Sequence, residues 1–263
     1  MRGRNVRRPT GEGRSISVAA AKEACERHLA APLALRVTPV VKAAGEVGAG
    51  TMAAARATDA ACVIDRASAR DAKEVFRLRV AAYSHAAEFE LTRPELLRWG
   101  PHDDAAVVLA ARGGGRMLST LRGVVVADRG AAEAELTCTV SFGPEAFPAL
   151  VLGKGATLRG YGRSGLHSAL RFHFLAAALE GRVNSVLGLV YASAPRTNLM
   201  RQLGYEFHVP ARLWDPEGVP IQPGLLAHLS RRRLASAHER LASEVADVLA
   251  AYPWHGDALR LDS

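Results

Sequence analysis

The stretch TLRGYGRSGLHSALRFHFL, residues 157–175, constrains the fold more than any other part of this chain. Its first half places Gly160, Gly162 and Gly165 among arginines, and its second half has apolar residues at helical spacing. A glycine-rich turn at a helix start lets main-chain N–H groups approach an anion, because no Cβ atom stands in the way. The sequence therefore predicts an anion-binding turn between a strand and a helix.

Two common phosphate-binding patterns agree poorly with this turn. A P-loop requires Ser or Thr after its lysine, and Gly153-Lys154-Gly155 lacks one. The three glycines of the turn do fit the GxGxxG pattern of dinucleotide-binding domains. However, the strand that follows, SVLGLVYAS, ends without the carboxylate that would hold a ribose, and the pattern comes after a predicted antiparallel hairpin. A nicotinamide-dependent oxidoreductase stays open as the less favoured alternative.

Hydrophobic periodicity divides the chain into short strands and helices in the order β-α-(α)-β-β-β-β-α-β-α-β. A hairpin is predicted around Gly113-Gly114-Gly115, and AELTCTVSF is predicted to be a strand. A helix is predicted from about Ser164 to Leu179, and SVLGLVYA is predicted to be a strand covered on both faces. The pattern is typical of a mixed α/β domain.

Three regions follow from the composition. Residues 1–58 form a basic, Ala/Gly-rich N-terminal extension with the character of a linker, and Met52 within it is an alternative start of translation. Residues 59–210 form the α/β domain, and residues 211–263 form a C-terminal helical cover. The predicted C-terminal helix depends on apolar residues at helical spacing, namely Leu225, Leu229, Leu241, Val245 and Val248. Its Arg231-Arg232-Arg233 run is predicted to face solvent.

The turn resembles the acyl-CoA loop of the GNAT acyltransferase superfamily. Arg159-Gly160-Tyr161-Gly162-Arg163-Ser164 matches [QR]-x-x-G-x-[GA] if Ser stands for the last small residue, and the segment 198–205, NLMRQLGY, is similar to the family's LYxKLGF signature. The resemblance implies an α+β fold with a mostly antiparallel sheet, helices on both faces, and fourth and fifth strands that splay apart. It further implies that acetyl-CoA or a longer acyl-CoA is the donor, and that its pyrophosphate is bound by the loop residues Arg159, Gly160, Tyr161, Gly162, Arg163, Ser164 and Gly165. This interpretation requires a gap between the splayed strands that no arginine side chain fills.

In the resembled family the acyl group passes directly to an amine, so the resemblance implies an N-acyltransferase. A base takes the amine proton, and a Tyr of the second signature often protonates the thiolate. Met200 occupies that Tyr position, and a thioether cannot donate a proton. Glu133 and Glu135 are the candidate catalytic bases, because alternation in a strand would place both on one face. The loss at Met200 keeps open a non-catalytic domain that binds CoA or a partner.

A second, weaker resemblance concerns the first half of the domain. FRLRVAAYS, then Trp99 with Asp103-Asp104, then LSTLRG are similar to N-acyl amino acid synthases and acyl-homoserine-lactone synthases. The resemblance implies an amine acceptor that is a small molecule or amino acid, and acyl carrier protein as an alternative donor. It also implies an acceptor site that includes Arg79, Tyr83 and Arg122, and the first resemblance adds Ser193.

The formal net charge is +8, but the first fourteen residues hold five arginines and one glutamate, which is half of it. A basic tail therefore accounts for much of the charge, which disfavours a nucleic-acid partner. The three widely spaced cysteines disfavour a disulfide framework and a metal site. His167 and His173 have no ligand-spaced partner, so surface or packing roles are predicted for them. We expect a cytoplasmic protein without a membrane span.

Overall fold

The computed structural model describes residues 62–84, 93–191, 194, 196–214 and 224–261, so the predicted extension 1–58 and Ser193 lie outside the described residues. The fold is built on a seven-stranded sheet with the order β1-β2-β3-β4-β5-β7-β6. The strands are β1 (Val63–Ala67), β2 (Val107–Gly113), β3 (Arg116–Val126), β4 (Ala149–Thr157), β5 (Ser185–Tyr191), β6 (Glu206–His208) and β7 (Gly224–Ser230). Neighbouring strands are antiparallel except β4 and β5, which are parallel.

Helices cover both faces of this sheet. They are α1 (Ala72–Tyr83), α2 (Pro101–Asp104), α3 (Arg129–Leu136), α4 (Leu166–Glu180), α5 (Arg196–Gln202) and α6 (Arg231–Ala251). Successive side chains of a strand point to opposite faces. Leu109 of β2 accordingly belongs to the core under α4 and α6, whereas Val108 packs with Val75 and Leu78 of α1. Among the described residues, none of the helices combines the length and the apolar composition that a membrane span requires.

Several predicted elements are confirmed. The β2–β3 hairpin turns at Gly114 and Gly115, whose φ angles are +60° and +73°. Helix α4 buries the predicted apolar face in the largest core cluster, and the buried residues include Leu166, Leu170 and Phe174. Strand β5 is buried along most of its length, as its unbroken apolar run predicts.

Two predicted elements are wrong. AELTCTVSF is not a strand, because α3 covers its first residues: the Asp128 carboxylate accepts a hydrogen bond from Ala131 N at 2.9 Å, and Ala132 and Leu136 are buried one turn apart. The C-terminal region is not wholly helical either. Residues 224–230 form β7, which inserts between β5 and β6 and so adds a strand after the one predicted to be last.

The beginning of α6 is also more tightly bound than predicted. The Arg231 guanidinium is not simply solvated, because it donates to main-chain carbonyls at and beyond the C-terminal end of α4, including Ala178 O at 2.6 Å and Leu179 O at 2.9 Å. A cation near the last carbonyls of a helix satisfies acceptors that have no partner within the helix. This contact joins α6 to α4 on one face of the sheet.

Strands β4 and β5 separate after a short parallel contact. They pair only at Ala149–Val151 with Ser185–Leu187, although β4 continues to Thr157 and β5 to Tyr191. At the point of separation a Cβ on Gly188 would lie 3.1 Å from Leu152 O, so glycine allows this close approach without a shift of the neighbouring strand. Beyond it β4 bulges at Lys154, whose φ is +46°. The predicted fold class, including the splay between the fourth and fifth strands, is confirmed.

Candidate active site

A small cavity lies where β4 and β5 separate. It encloses about 50 Å³ and is walled by both strands together with residues of α1, α4 and α5. The side chains that carry its chemistry are those of Tyr83, Lys154, His167, Arg171, Arg196 and Met200. Beyond Val151, β4 has no strand partner on this side, so its main-chain N–H and C=O groups are available to a ligand. The cavity is thus open to hydrogen bonding along one strand edge.

Arg171 brings a buried positive charge to the cavity. Its residue is 6% exposed, its Nη1 donates to Tyr205 Oη at 3.0 Å, and its guanidinium lies over the Tyr205 ring at 5.6 Å from the centroid. Within the described part of the chain, no carboxylate forms an ion pair with Arg171. Arg171 and Arg196 both line the gap that the interpretation requires to be open, and space remains between them and the strands.

His167 lies one helical turn before Arg171 and faces the same cavity. Its imidazole packs on the β4 main chain, since a Cβ on Gly155 would lie 2.4 Å from His167 Cε1. Burial, and then the charges of Arg171 and Arg196, hold the pKa of His167 well below its usual value. His167 is therefore neutral at pH 7, and its buried Nε2 has no hydrogen-bond partner among the described residues.

A buried charge network adjoins the cavity on the α1 side. The Asp103 carboxylate, which is 0% exposed, accepts from Arg79 Nη1 at 3.2 Å, Arg79 Nη2 at 2.8 Å and Lys154 Nζ at 3.2 Å, and Arg122 Nε lies 3.6 Å away. Burial alone would raise the pKa of Asp103, but Arg79 and then Lys154 hold it below its usual value. Burial lowers the pKa of Lys154 although Asp103 opposes this shift. Lys154 thus connects the network to the cavity.

The two glutamates that were predicted to be bases lie elsewhere and have partners. Both are on helix α3 rather than on a strand, so they do not share one face as predicted. Glu135 accepts from Arg122, whose guanidinium also donates to His102 O at 2.6 Å. Glu133 accepts from Val140 N at 3.0 Å. Neither glutamate lines the cavity.

The glycine-rich loop runs from the end of β4 to the start of α4. Arg159 and Arg163 are exposed in it, and a Cβ on Gly160 would meet no atom within 4 Å. Gly165 has a φ of +79°, and α4 begins directly after it, so the first N–H groups of the helix have no partner within the helix. Tyr161 instead packs on Arg116, and its hydroxyl accepts from Arg116 Nη2 at 3.4 Å. Open space, two guanidinium groups and a helix N-terminus therefore meet at this loop.

The structure brings together some of the predicted residues. Arg79 and Arg122 meet at Asp103, while Tyr83 and Met200 line the cavity. The loop residues lie together before α4. Sequence reasoning did not identify Lys154, His167, Arg171 and Arg196 as cavity residues. The available signal was a polar pair spaced by four residues, His167 and Arg171, on an otherwise apolar helix.

One cluster has the composition of a metal site. Ligand atoms of Glu206, His208 and His228 lie within 4.8 Å of one another, and we call these residues the β6–β7 cluster. Glu206 is already paired with Arg233 at 3.0 Å, and the His228 ring stacks on Phe142 at 4.3 Å between centroids. Burial and then His208 lower the pKa of His228. Glu206 and His228 thus have other partners, whereas the buried His208 Nε2 has no hydrogen-bond partner among the described residues.

Comparison with known proteins yields structural similarity only. No protein-family model matches the sequence, and no curated protein matches it. A CoA-dependent acyl-homoserine lactone synthase, solved with SAM and isopentyl-CoA, has a TM-score of 0.49 at 17% identity and covers 76% of this chain and 96% of its own. The ribosomal-protein-S18-alanine N-acetyltransferase from Escherichia coli has a TM-score of 0.46 at 16% identity and covers 64% and 93%. The ribosomal-protein-alanine N-acetyltransferase from Brucella melitensis has a TM-score of 0.45 at 14% identity and covers 64% and 99%.

Because these TM-scores are below 0.5, the fold is identified from the strands of this chain itself. Three features of the sheet agree with the fold that the glycine-rich loop led us to expect. They are the antiparallel strands before β4, the crossover through α4 to a parallel β5, and the separation of these two strands beside the loop. By its strand order and its splay, the described part of this chain has the fold of the GNAT superfamily.

Proposed function

We propose that this protein is an N-acyltransferase that moves an acyl group from a thioester, of CoA or of acyl carrier protein, to the amine of a small molecule or amino acid. The observation that carries the proposal is the separation of β4 from β5 after Val151, with a cavity at the point of separation. A thioester arm needs an unpaired strand edge to bind along, and β4 offers one.

The donor's pyrophosphate would bind at the glycine-rich loop. Arg159 and Arg163 offer guanidinium groups there, and the N-terminus of α4 favours negative charge. The thioester carbonyl would lie against the free edge of β4, where a main-chain N–H stabilises the charge that develops on its oxygen. The amine would attack from the side of α1, where Tyr83 lines the cavity.

Proton transfer in this proposal differs from what the sequence led us to expect. Met200 lines the cavity but has no proton to donate. Glu135 is bound to Arg122, whereas the neutral His167 imidazole has an unpartnered Nε2 at the cavity. Among the described lining residues, we therefore assign the proton-accepting role to His167 and the proton-donating role to Tyr83.

The cavity also sets a condition on donor binding. A volume of about 50 Å³ holds only a few water molecules, so a thioester arm enters only when lining side chains move. Arg171 and Arg196 are the long side chains in its wall. Donor binding should therefore be slower than diffusion and limited by this rearrangement.

Thermal unfolding tests donor binding directly, because a ligand that binds only the folded state raises Tm. We expect CoA to raise Tm and NAD to leave it unchanged. Gly162→Glu should abolish the CoA shift, since it places a carboxylate in the loop. Gly130→Glu is the matched control, because it adds the same charge on the exposed α3 helix. A rise with NAD but not CoA would favour the oxidoreductase alternative and end the acyltransferase proposal.

Turnover distinguishes an enzyme from a non-catalytic CoA-binding domain. Acyl-CoA is incubated with the protein and a panel of amines, and the loss of thioester absorbance is followed. We expect amine-dependent loss with the wild-type protein and none with Gly162→Glu. Binding of CoA without amine-dependent turnover would instead favour the non-catalytic alternative, which Met200 keeps open.

A further inference from the structure

The cavity between β4 and β5 has a strong charge imbalance. Its described lining includes Lys154, Arg171 and Arg196, and no aspartate or glutamate is among the lining residues that the structure describes. Lys154 is paired with Asp103 outside the cavity. Arg171 has no carboxylate partner in the described part of the chain, and it is 6% exposed. A buried charge without a counter-ion is costly, so its presence needs a reason other than stability.

The surroundings of Arg171 suit a small anionic group. Tyr205 binds one guanidinium nitrogen, Nη1, at 3.0 Å, which holds the side chain in place. Beside it the buried His167 Nε2 has no hydrogen-bond partner among the described residues, and it can donate to an anion once it has accepted a proton. The enclosed volume of about 50 Å³ accommodates a group the size of a carboxylate.

We infer that this cavity binds a carboxylate group, which pairs with the Arg171 guanidinium beside His167. Planar guanidinium and carboxylate groups form two parallel hydrogen bonds, so Arg suits this ligand better than Lys. The molecule that carries this carboxylate is identified from the proposed function. It is either a donor whose acyl group is a short dicarboxylic acid or an acceptor that is an amino acid. Both sources present the same chemistry to Arg171.

A first experiment needs neither CoA nor turnover. Tm is measured with succinate and with its neutral diamide, at an ionic strength matched with NaCl. We expect succinate to stabilise the wild-type protein and the diamide to leave Tm unchanged. Equal effects of the two compounds, or no effect of succinate, would overturn the inference whatever the result with CoA.

Arg171→Met tests the residue itself, because it keeps most of the side-chain volume and removes the charge. Arg182→Met is its control, since Arg182 is exposed just beyond the end of α4. Succinate should stabilise the control like the wild type and lose its effect on Arg171→Met. Without ligand, Arg171→Met should have an equal or higher Tm, because an uncompensated buried charge is removed. A lower Tm together with unchanged succinate binding would mean that Arg171 is structural.

Two further comparisons identify the source. Succinyl-CoA against butyryl-CoA tests the donor, and an amino acid against its decarboxylated amine tests the acceptor. In whichever arm the carboxylate belongs, Arg171→Met should lose about tenfold to a hundredfold in kcat/KM, as expected for a charged hydrogen bond. Succinate binding without CoA binding would refute the acyltransferase and leave the carboxylate site. Turnover of acyl-CoA without a preference for the carboxylate-bearing compound in either comparison would support the acyltransferase and refute the carboxylate site.

Discussion

Replacing Asp103 by asparagine should be among the most damaging single changes in this protein. Asp103 is 0% exposed and accepts hydrogen bonds from Arg79 and Lys154, while Arg122 lies 3.6 Å away. Asn keeps the shape but removes the negative charge, so Arg79 at 0% and Arg122 at 1% exposure lose their shared counter-ion. Glu135 remains beside Arg122 and compensates only that residue.

Breaking a buried ion pair by removing one partner costs about 3–5 kcal/mol. In a domain of this size, 1 kcal/mol corresponds to about 2–4 °C in Tm, so Asp103→Asn should lower Tm by roughly 6–20 °C. The assay is thermal and urea unfolding at neutral pH, followed by circular dichroism. In acid the difference should narrow, because the pKa of Asp103 is lowered by folding and the wild type also loses this stabilisation as the carboxylate becomes protonated.

The neighbouring residue provides the control. Asp104 is exposed and accepts one hydrogen bond, from Trp99 Nε1 at 2.6 Å, which an asparagine oxygen also accepts. Asp104→Asn should therefore change the free energy of unfolding by less than about 1 kcal/mol. Should Asp103→Asn prove as stable as Asp104→Asn, the buried network would not be holding α1 and α2 to the sheet.

Three further predictions concern pH, backbone conformation and metal. Burial and then His238 lower the pKa of His173 to about 4, so the unfolded state binds a proton more readily, and the free energy of unfolding should fall as pH drops from about 6.5 towards 4. Urea titrations across this range test it, and His173→Gln should show a shallower decline. Gly165→Ala should cost about 2–4 kcal/mol, because φ is +79° and the new Cβ would lie 2.9 Å from Val248 Cγ2, whereas Gly160→Ala, in open space, should be nearly neutral by thermal unfolding. EDTA should leave Tm unchanged, because the Glu206 carboxylate of the β6–β7 cluster is already paired with Arg233, and a fall in Tm that Zn²⁺ reverses would contradict this.

Hydrophobic periodicity predicted most of the sheet, because the residues that define those strands and turns are neighbours in the sequence. The hairpin has three consecutive glycines between apolar runs, and α4 has one continuous apolar face. It failed at α3, where residues 129–136 are compatible with both periods and the Asp128 cap decides for a helix. It also failed at β7, because this strand is defined by pairing with β5 and β6, and β5 is distant in the sequence.

The candidate site was predicted in outline but not in its charges. The glycine-rich loop and the splay could be expected from the resemblance, because their residues form a contiguous pattern. The positions of Lys154 and Arg171 could not, because a strand bulge and a gap between strands decide which way these side chains point. Only the assembled sheet shows that Lys154 has a carboxylate partner and that Arg171 has none among the residues the structure describes.

Lys154 links the wall of the cavity to helix α1 on the opposite face of the sheet. Its main chain forms the bulge in β4, and its ammonium group is tied through Asp103 to Arg79 on α1. A ligand that displaces this wall would therefore also disturb the contacts that hold α1 to the sheet. Under the proposed function, the range of ligands that the cavity accepts would therefore depend in part on Asp103 and Arg79, which do not line it.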